Sequence, residues 1–133
     1  MGPNAWPDGV PGFREAIAGH YAQATKVAQC LFVALAEMLD LPPDTFARHA
    51  TANSRATMRL LHYAPGALAD APAATGISAH TDFECFSMLH QEAAGLELRS
   101  RTGAWGAAPV PGPDEVLVFV GGALCRRTAA PPP

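Results

Sequence analysis

One long stretch near the amino terminus repeats apolar residues with the period of a helix. Its members recur at steps of three and four: Ile17, Tyr21, Ala24, Ala28, Leu31, Leu35 and Met38. Such a stripe is typical of a helix that packs one face on a neighbouring element. Pro42 and Pro43 end the pattern, because proline lacks an amide donor and clashes with the preceding turn. We predict a helix over 12–40 that packs on a sheet, with a coiled coil as the alternative.

The rest of the chain is typical of a short helix followed by short strands. For a helix over 43–50, Asp44 or Thr45 is the expected cap. Alternating or continuous apolar runs, bounded by Gly, Pro and Asp, predict strands over 57–63, 77–82, 85–91, 95–100 and 115–120. The last run, EVLVFV, is apolar nearly throughout, so we expect it inside a sheet. Residues 64–76 and 103–115 are expected to be a loop and a connection, and strands at this spacing suggest a jelly roll or barrel.

Composition narrows the class of protein. The chain has 133 residues, 49% of them hydrophobic and 16% charged, which indicates a globular domain or part of one. A net charge of −3 with scattered Lys and Arg argues against a nucleic-acid partner. Cys30, Cys85 and Cys125 lie too far apart for a zinc ribbon and fit a reducing interior. Without a signal-peptide pattern or a membrane-length apolar run, we expect a cytoplasmic protein with no membrane partner. Its oligomeric state stays unknown.

The clearest candidate for chemistry is a histidine and an aspartate two positions apart. His80 and Asp82 fall in the strand expected over 77–82, where side chains at i and i+2 share a face. An imidazole and a carboxylate suit a borderline divalent metal, and two histidines with one carboxylate form the ligand set of iron(II) oxygenases. The same spacing also occurs in solvated surface pairs, so the pair alone leaves both interpretations open.

The segments around the pair resemble a known family. MRLLHYAP (58–65), followed by a loop and by GISAHTDFECFSMLH (76–90), is similar to the central part of the iron(II)/2-oxoglutarate-dependent oxygenases of the isopenicillin N synthase-like class. GPNAWPDGVPGFREAIAGHYAQ (2–23) resembles the stretch that leads into the long helix of that family. The resemblance implies an α+β fold with a long N-terminal helix packed on a double-stranded β-helix (jelly-roll) core. Within a single domain, it implies a helical lead-in over 1–56, strands over 57–128 and a proline-rich tail over 129–133.

The resemblance also implies an enzyme and its site. His80 and Asp82 would be two of three iron ligands, and Tyr63 would hydrogen-bond a carboxylate of 2-oxoglutarate. Apart from the resemblance, strand alternation places Phe86 and Met88 on the face of Asp82 if the strand stays regular, where they would line a substrate pocket or fill the core. The implied cofactors are Fe(2+) and 2-oxoglutarate. The implied reaction consumes dioxygen, converts 2-oxoglutarate to succinate and carbon dioxide, and oxidises a small organic substrate that the sequence does not name.

The chain departs from the family at its carboxyl end. The family places its third ligand, a histidine, roughly 50–60 residues after the aspartate, and an arginine and a serine that bind 2-oxoglutarate lie further on. The first interval reaches or passes Pro133, so we expect a domain that is incomplete at this end. No other histidine is expected to substitute, because His90 lies ~26 Å from Asp82 along an extended strand, and His20, His49 and His62 are expected to be solvated or packed. The alternative functions are a catalytically inactive fragment and a helix-mediated interaction module.

Overall fold

The computed structural model describes residues 4–48, 50, 56–63 and 76–128. The chain divides into two compact units, Met1–His62 and Tyr63–Pro133. The histidine at 49, most of the expected loop over 64–76 and the tail over 129–133 lie outside the described residues. No helix in the described ranges is both long and apolar enough to cross a membrane.

The first unit is built on the predicted long helix. Helix α1 spans Phe13–Met38, so the prediction over 12–40 is confirmed to within two residues at each end. Its carboxyl end closes with two backbone bonds, from the Leu41 amide to the Ala36 carbonyl (2.9 Å) and from the Asp40 amide to the Glu37 carbonyl (3.1 Å). This is a Schellman closure. Asp40 takes the left-handed conformation that it requires, with φ of 54°.

The short second helix packs on the first. Helix α2 spans Asp44–Ala47, which is shorter than the predicted 43–50. Its N-cap is Pro43 and no side chain caps it, so the expected capping by Asp44 or Thr45 is wrong. Phe46 is buried, and its ring lies 6.4 Å from that of Phe32 on α1. This aromatic contact ties the two helices together.

The strand predicted over 57–63 is wrong. The structure gives these residues no strand, and Leu60 and Leu61 on its two faces are 62% and 63% exposed. A strand forms only where a second strand accepts its backbone hydrogen bonds, and alternation of side chains does not supply that partner.

In the described part of the second unit, the chain forms two small antiparallel sheets and a helix. Strands β1 (Phe86–Leu89) and β4 (Leu117–Val120) pair in one sheet, with Phe86 opposite Val120 and Leu89 opposite Leu117. Strands β2 (Glu97–Arg99) and β3 (Trp105–Ala107) form a hairpin in the other sheet. Helix α3 (Gly122–Thr128) follows β4 directly. The hairpin therefore lies, in sequence, inside the loop that joins the two strands of the first sheet.

These elements confirm some predictions and correct others. Strands were predicted over 85–91, 95–100 and 115–120, and β1, β2 and β4 lie within those ranges. The strand predicted over 77–82 is wrong, since this segment is irregular with bends. Strand β3 lies within the connection expected over 103–115, and α3 was not predicted. Both are short and contain glycine, so neither has enough apolar repeats to reveal its period.

The described helices and small antiparallel sheets are compatible with the predicted α+β fold class. In the described part of the chain β4 pairs with β1 alone, so the expectation that EVLVFV lies inside a sheet is wrong. Val118 and Val120 are accordingly about two-fifths exposed, at 41% and 40%. Two two-stranded sheets do not establish a jelly-roll core, which stays a prediction.

Candidate metal centre

The segment that leads to the candidate pair has an irregular backbone. Residues 76–85 form bends rather than the expected strand. At its start, the ring of Tyr63 lies against Gly76, where an added Cβ would come within 3.0 Å of three ring carbons. A larger residue at position 76 would therefore displace the Tyr63 ring from this segment. Tyr63 itself remains 54% exposed.

His80 and Asp82 converge despite the absence of a strand. The His80 Nε2 atom lies 3.4 Å from the Asp82 Oδ1 atom, and the two side chains are 50% and 36% exposed. The pair is therefore partly open to solvent, and a small ion can reach it. The two side chains therefore lie close together, although the i and i+2 alternation of a strand is not the cause.

A hydrogen bond on the far side of the imidazole sets its tautomer. The Nδ1 atom of His80 lies 2.8 Å from the backbone carbonyl oxygen of Ser78. A carbonyl oxygen only accepts hydrogen bonds, so Nδ1 carries a proton and donates it. In the neutral ring, Nε2 then keeps its lone pair. A histidine that ligates a metal is normally oriented in this way, through its other ring nitrogen.

A cation between its two atoms would stabilise this pair. The Nε2 lone pair of a neutral His80 and the Asp82 carboxylate are both electron donors, and they face each other over 3.4 Å. A proton on Nε2 gives an ion pair, whereas a divalent metal joins both groups as ligands. Metal–nitrogen and metal–oxygen bonds are about 2.0–2.2 Å long. Atoms 3.4 Å apart can therefore both bind one ion, so the two residues fit a shared metal.

The second oxygen of Asp82 has its own partner. The Ser87 hydroxyl donates a hydrogen bond to Asp82 Oδ2, which leaves Oδ1 toward His80. Ser87 lies within β1, and its side chain points to the face opposite that of Phe86 and Met88. Sequence reasoning missed Ser87. The signal that could have identified it is a lone hydroxyl in the apolar strand FSML.

The backbone of Asp82 is held by residues almost forty positions later. The Gly122 amide donates to the Asp82 carbonyl (2.8 Å), and the Gly121 amide donates to that of Cys85 (2.9 Å). A Cβ on Gly121 would lie 2.9 Å from the carbonyl carbon of Glu84 and 3.1 Å from the carbonyl oxygen of Asp82. The start of α3 can approach the turn over 82–85 this closely only because residue 121 has no side chain.

The other predicted site residues are not all brought to this pair. Phe86 and Met88 lie on the opposite face of β1 from Ser87, because successive side chains of a strand alternate. Residues 83–85 form bends, so the strand is not regular after Asp82. The His90 Nδ1 atom hydrogen-bonds the Glu115 carbonyl oxygen at 3.2 Å. Among the described residues, no three His, Cys, Asp or Glu side chains are grouped as a metal site. The roles of Tyr63, Phe86 and Met88 stay predictions.

Comparison with known proteins provides an independent line of argument. The chain is 36% identical over 117 residues to a 2-oxoglutarate-Fe(II) type oxidoreductase of Aspergillus fumigatus, which covers 84% of this chain and 34% of the relative. It is 34% identical over 132 residues to the proline hydroxylase buaE of Petromyces alliaceus, covering 95% and 41%. It is also 38% identical over 110 residues to the 2-oxoglutarate-Fe(II) type oxidoreductase hxnY of Emericella nidulans, covering 78% and 31%. The chain is a relative of the 2-oxoglutarate/Fe(II)-dependent oxygenases.

The similarity to these oxygenases covers most of the chain but only part of each relative. The chain spans between 31% and 41% of the length of the three oxygenases named above. The names of the Aspergillus and Emericella relatives include both 2-oxoglutarate and Fe(II), and the predicted resemblance to this oxygenase family is confirmed. No protein-family model and no solved structure matches the chain.

Proposed function

We propose that this chain forms the iron-binding region of a 2-oxoglutarate-dependent oxygenase, with His80 and Asp82 as two of the iron ligands. The observation that carries the proposal is that two electron donors, the His80 imidazole and the Asp82 carboxylate, face each other. His80 is fixed by Ser78 so that its Nε2 lone pair meets the Asp82 carboxylate at 3.4 Å. The similarity to oxygenases whose names include Fe(II) favours a metal over a proton between them.

Asp82 and His80 make different contributions to binding the metal ion. When bound, Fe(II) supplies oxidation of a substrate by dioxygen, coupled to the decarboxylation of 2-oxoglutarate. Asp82 contributes one negative charge that offsets part of the charge of the ion, and His80 contributes a neutral nitrogen. The hydrogen bond to Ser78 holds the imidazole plane in place, so the ligand does not have to be ordered when the ion binds.

The finer assignments rest on the resemblance for Tyr63 and the fold, and on strand alternation for Phe86 and Met88. Tyr63 donates its hydroxyl hydrogen to a carboxylate of 2-oxoglutarate, and Phe86 and Met88 line the pocket of a small organic substrate. The two small sheets belong to a double-stranded β-helix. The place of Tyr63 against Gly76, at the beginning of the segment that carries the proposed iron ligands, supports its assignment.

A second candidate function is a fragment that binds metal weakly and turns nothing over. It is favoured by one observation: no third metal-ligating side chain joins His80 and Asp82 within the described ranges. Two protein ligands leave more of the metal's coordination positions to water than three do, which lowers affinity. The two candidates differ in turnover and share the metal site.

Anaerobic titration of the 133-residue chain with Fe(II), followed by 2-oxoglutarate, tests the proposal. The oxygenase interpretation predicts saturable Fe(II) binding by calorimetry and a weak visible charge-transfer band when 2-oxoglutarate is added. Succinate release under air then separates the oxygenase from the inactive fragment.

Paired variants locate the site. We expect His80→Ala and Asp82→Asn each to weaken Fe(II) binding at least about tenfold, because each removes a ligand atom. The matched controls are His20→Ala on the exposed face of α1 and Asp114→Asn in an exposed turn, which should bind Fe(II) like the parent. Equal affinity of the His80→Ala variant and the parent would refute the site.

A further inference from the structure

We infer that Ser87 is a positioning residue that fixes which oxygen of Asp82 faces the metal. The inference rests on the proposed function, since it concerns the same ligand pair. The inference goes beyond the proposed function, because it names a residue that is not itself a metal ligand. Its effect is exerted through the carboxylate of Asp82.

The backbone of Asp82 is already constrained without Ser87. Its carbonyl oxygen accepts the Gly122 amide at 2.8 Å, and the carbonyls of Glu84 and Cys85 accept the amides of Ala123 (3.3 Å) and Gly121 (2.9 Å). These three bonds anchor the turn over 82–85 to the start of α3. The freedom that remains to Asp82 is rotation of its side chain.

Ser87 removes that remaining freedom. A serine hydroxyl has a single hydrogen to donate, and here that hydrogen goes to Asp82 Oδ2. A hydrogen bond to a carboxylate is charge-assisted and therefore stronger than one between neutral groups. Once Oδ2 is held, Oδ1 is the oxygen that faces Nε2 of His80, at 3.4 Å.

The location of Ser87 in a paired strand fixes the backbone from which its hydroxyl reaches Asp82. Ser87 is the second residue of β1 and pairs with Phe119 of β4. Its backbone is thus set by the sheet, whereas the backbone of the segment that carries His80 is irregular. The hydroxyl therefore links the regular strand β1 to Asp82, a proposed ligand on an irregular segment. Outer partners of this kind typically change metal affinity by about 10–100-fold when they are removed.

A set of substitutions that separates the hydroxyl from the shape of the side chain tests the inference. Threonine and valine have nearly the same shape and both suit a strand, but only threonine keeps the hydroxyl. Binding of Co(II), an ion that is stable in air, is measured by calorimetry for the parent and for Ser87→Ala, Ser87→Thr and Ser87→Val. Circular dichroism of the metal-free proteins reports folding. Ser100→Ala, in the turn of the β2–β3 hairpin, is the matched control.

We expect Ser87→Ala and Ser87→Val to bind Co(II) about tenfold more weakly than the parent, and Ser87→Thr and Ser100→Ala to stay within about threefold of it. Equal affinity for the threonine and valine variants would overturn the inference, because the hydroxyl would then have no effect. That result leaves the proposed function intact as long as the parent binds Co(II) and His80→Ala does not. A parent that binds no Co(II) would refute the proposed function and the role of Ser87 together.

Discussion

Replacing Gly121 with alanine is expected to disrupt the turn that carries Asp82. The added Cβ would lie 2.9 Å from the carbonyl carbon of Glu84 and even closer to its oxygen, and 3.1 Å from the Asp82 carbonyl oxygen. All three are backbone atoms, so no side-chain rotation can relieve the contact. Either α3 or the turn over 82–85 has to move.

The size of the effect follows from what such a movement breaks. Forcing one extra carbon into a closely packed place costs about 1–3 kcal/mol. The shift also stretches the bonds from Gly121 to Cys85 and from Gly122 to Asp82, which are 2.9 Å and 2.8 Å long. Each is worth about 1 kcal/mol. We therefore expect the Gly121→Ala variant to lose about 2–4 kcal/mol of unfolding free energy.

Neighbouring glycines provide matched controls. A Cβ on Gly122 would meet only the guanidinium of Arg126 at 3.1 Å and the Asp82 carbonyl oxygen at an ordinary 3.5 Å. Because the Arg126 side chain can move away, Gly122→Ala should change the unfolding free energy by less than about 0.5 kcal/mol. A Cβ on Gly106 of β3 meets nothing within 4 Å, so Gly106→Ala should be equally mild.

Urea denaturation followed by circular dichroism measures all three variants. With a typical slope of about 1–1.5 kcal/mol per molar urea for a small unit, Gly121→Ala should lower the midpoint by more than about 1 M. Amide exchange at Gly122 should also accelerate, because its bond to Asp82 weakens. An unchanged midpoint for Gly121→Ala, or a loss as large for Gly122→Ala, would refute the close approach of α3 to the turn.

Two further predictions concern the helical unit. Asp40→Gly should raise the unfolding free energy by about 0.5–1 kcal/mol in a thermal melt, since glycine adopts the φ of 54° at this helix end without strain; a lower melting temperature would contradict this. Phe46→Ala should cost about 3 kcal/mol in urea denaturation, because Phe46 is 4% exposed and packs on Phe32. The control, Leu60→Ala at a residue that is 62% exposed, should cost less than about 0.5 kcal/mol.

The sequence predicted elements well where a long apolar repeat exists. The apolar stripe of α1 runs over about six turns and two prolines follow it, so both the type and the limits of this element could be inferred. Short alternating or continuous apolar runs predicted β1, β2 and β4, but they also predicted strands over 57–63 and 77–82 that do not form. The difference between these cases is the presence of a pairing strand, which is a property of the fold rather than of the segment.

The candidate site was predictable in part. His80 and Asp82 stand out by residue type and spacing, and the structure brings their side chains together. Their role as iron ligands stays a prediction. Ser87 and Gly121 were not found. The lone hydroxyl in the apolar strand FSML is visible in the sequence, but its contact with Asp82 and the close approach of Gly121 to the same turn are not. Contacts of this kind depend on how α3 and β1 meet the turn.

The irregular backbone before β1 is what makes these contacts available. In a regular strand over 77–82, the Asp82 carbonyl would accept from a neighbouring strand, as carbonyls of a ladder do. Here it accepts instead from the Gly122 amide, and the side chain of the same residue accepts from Ser87. One aspartate is thereby fixed at its backbone and at its carboxylate by two separate elements. A solvated surface pair needs neither restraint. A histidine and an aspartate at this spacing are therefore better evidence for a metal site where a hydroxyl five residues on and a later glycine also hold the aspartate.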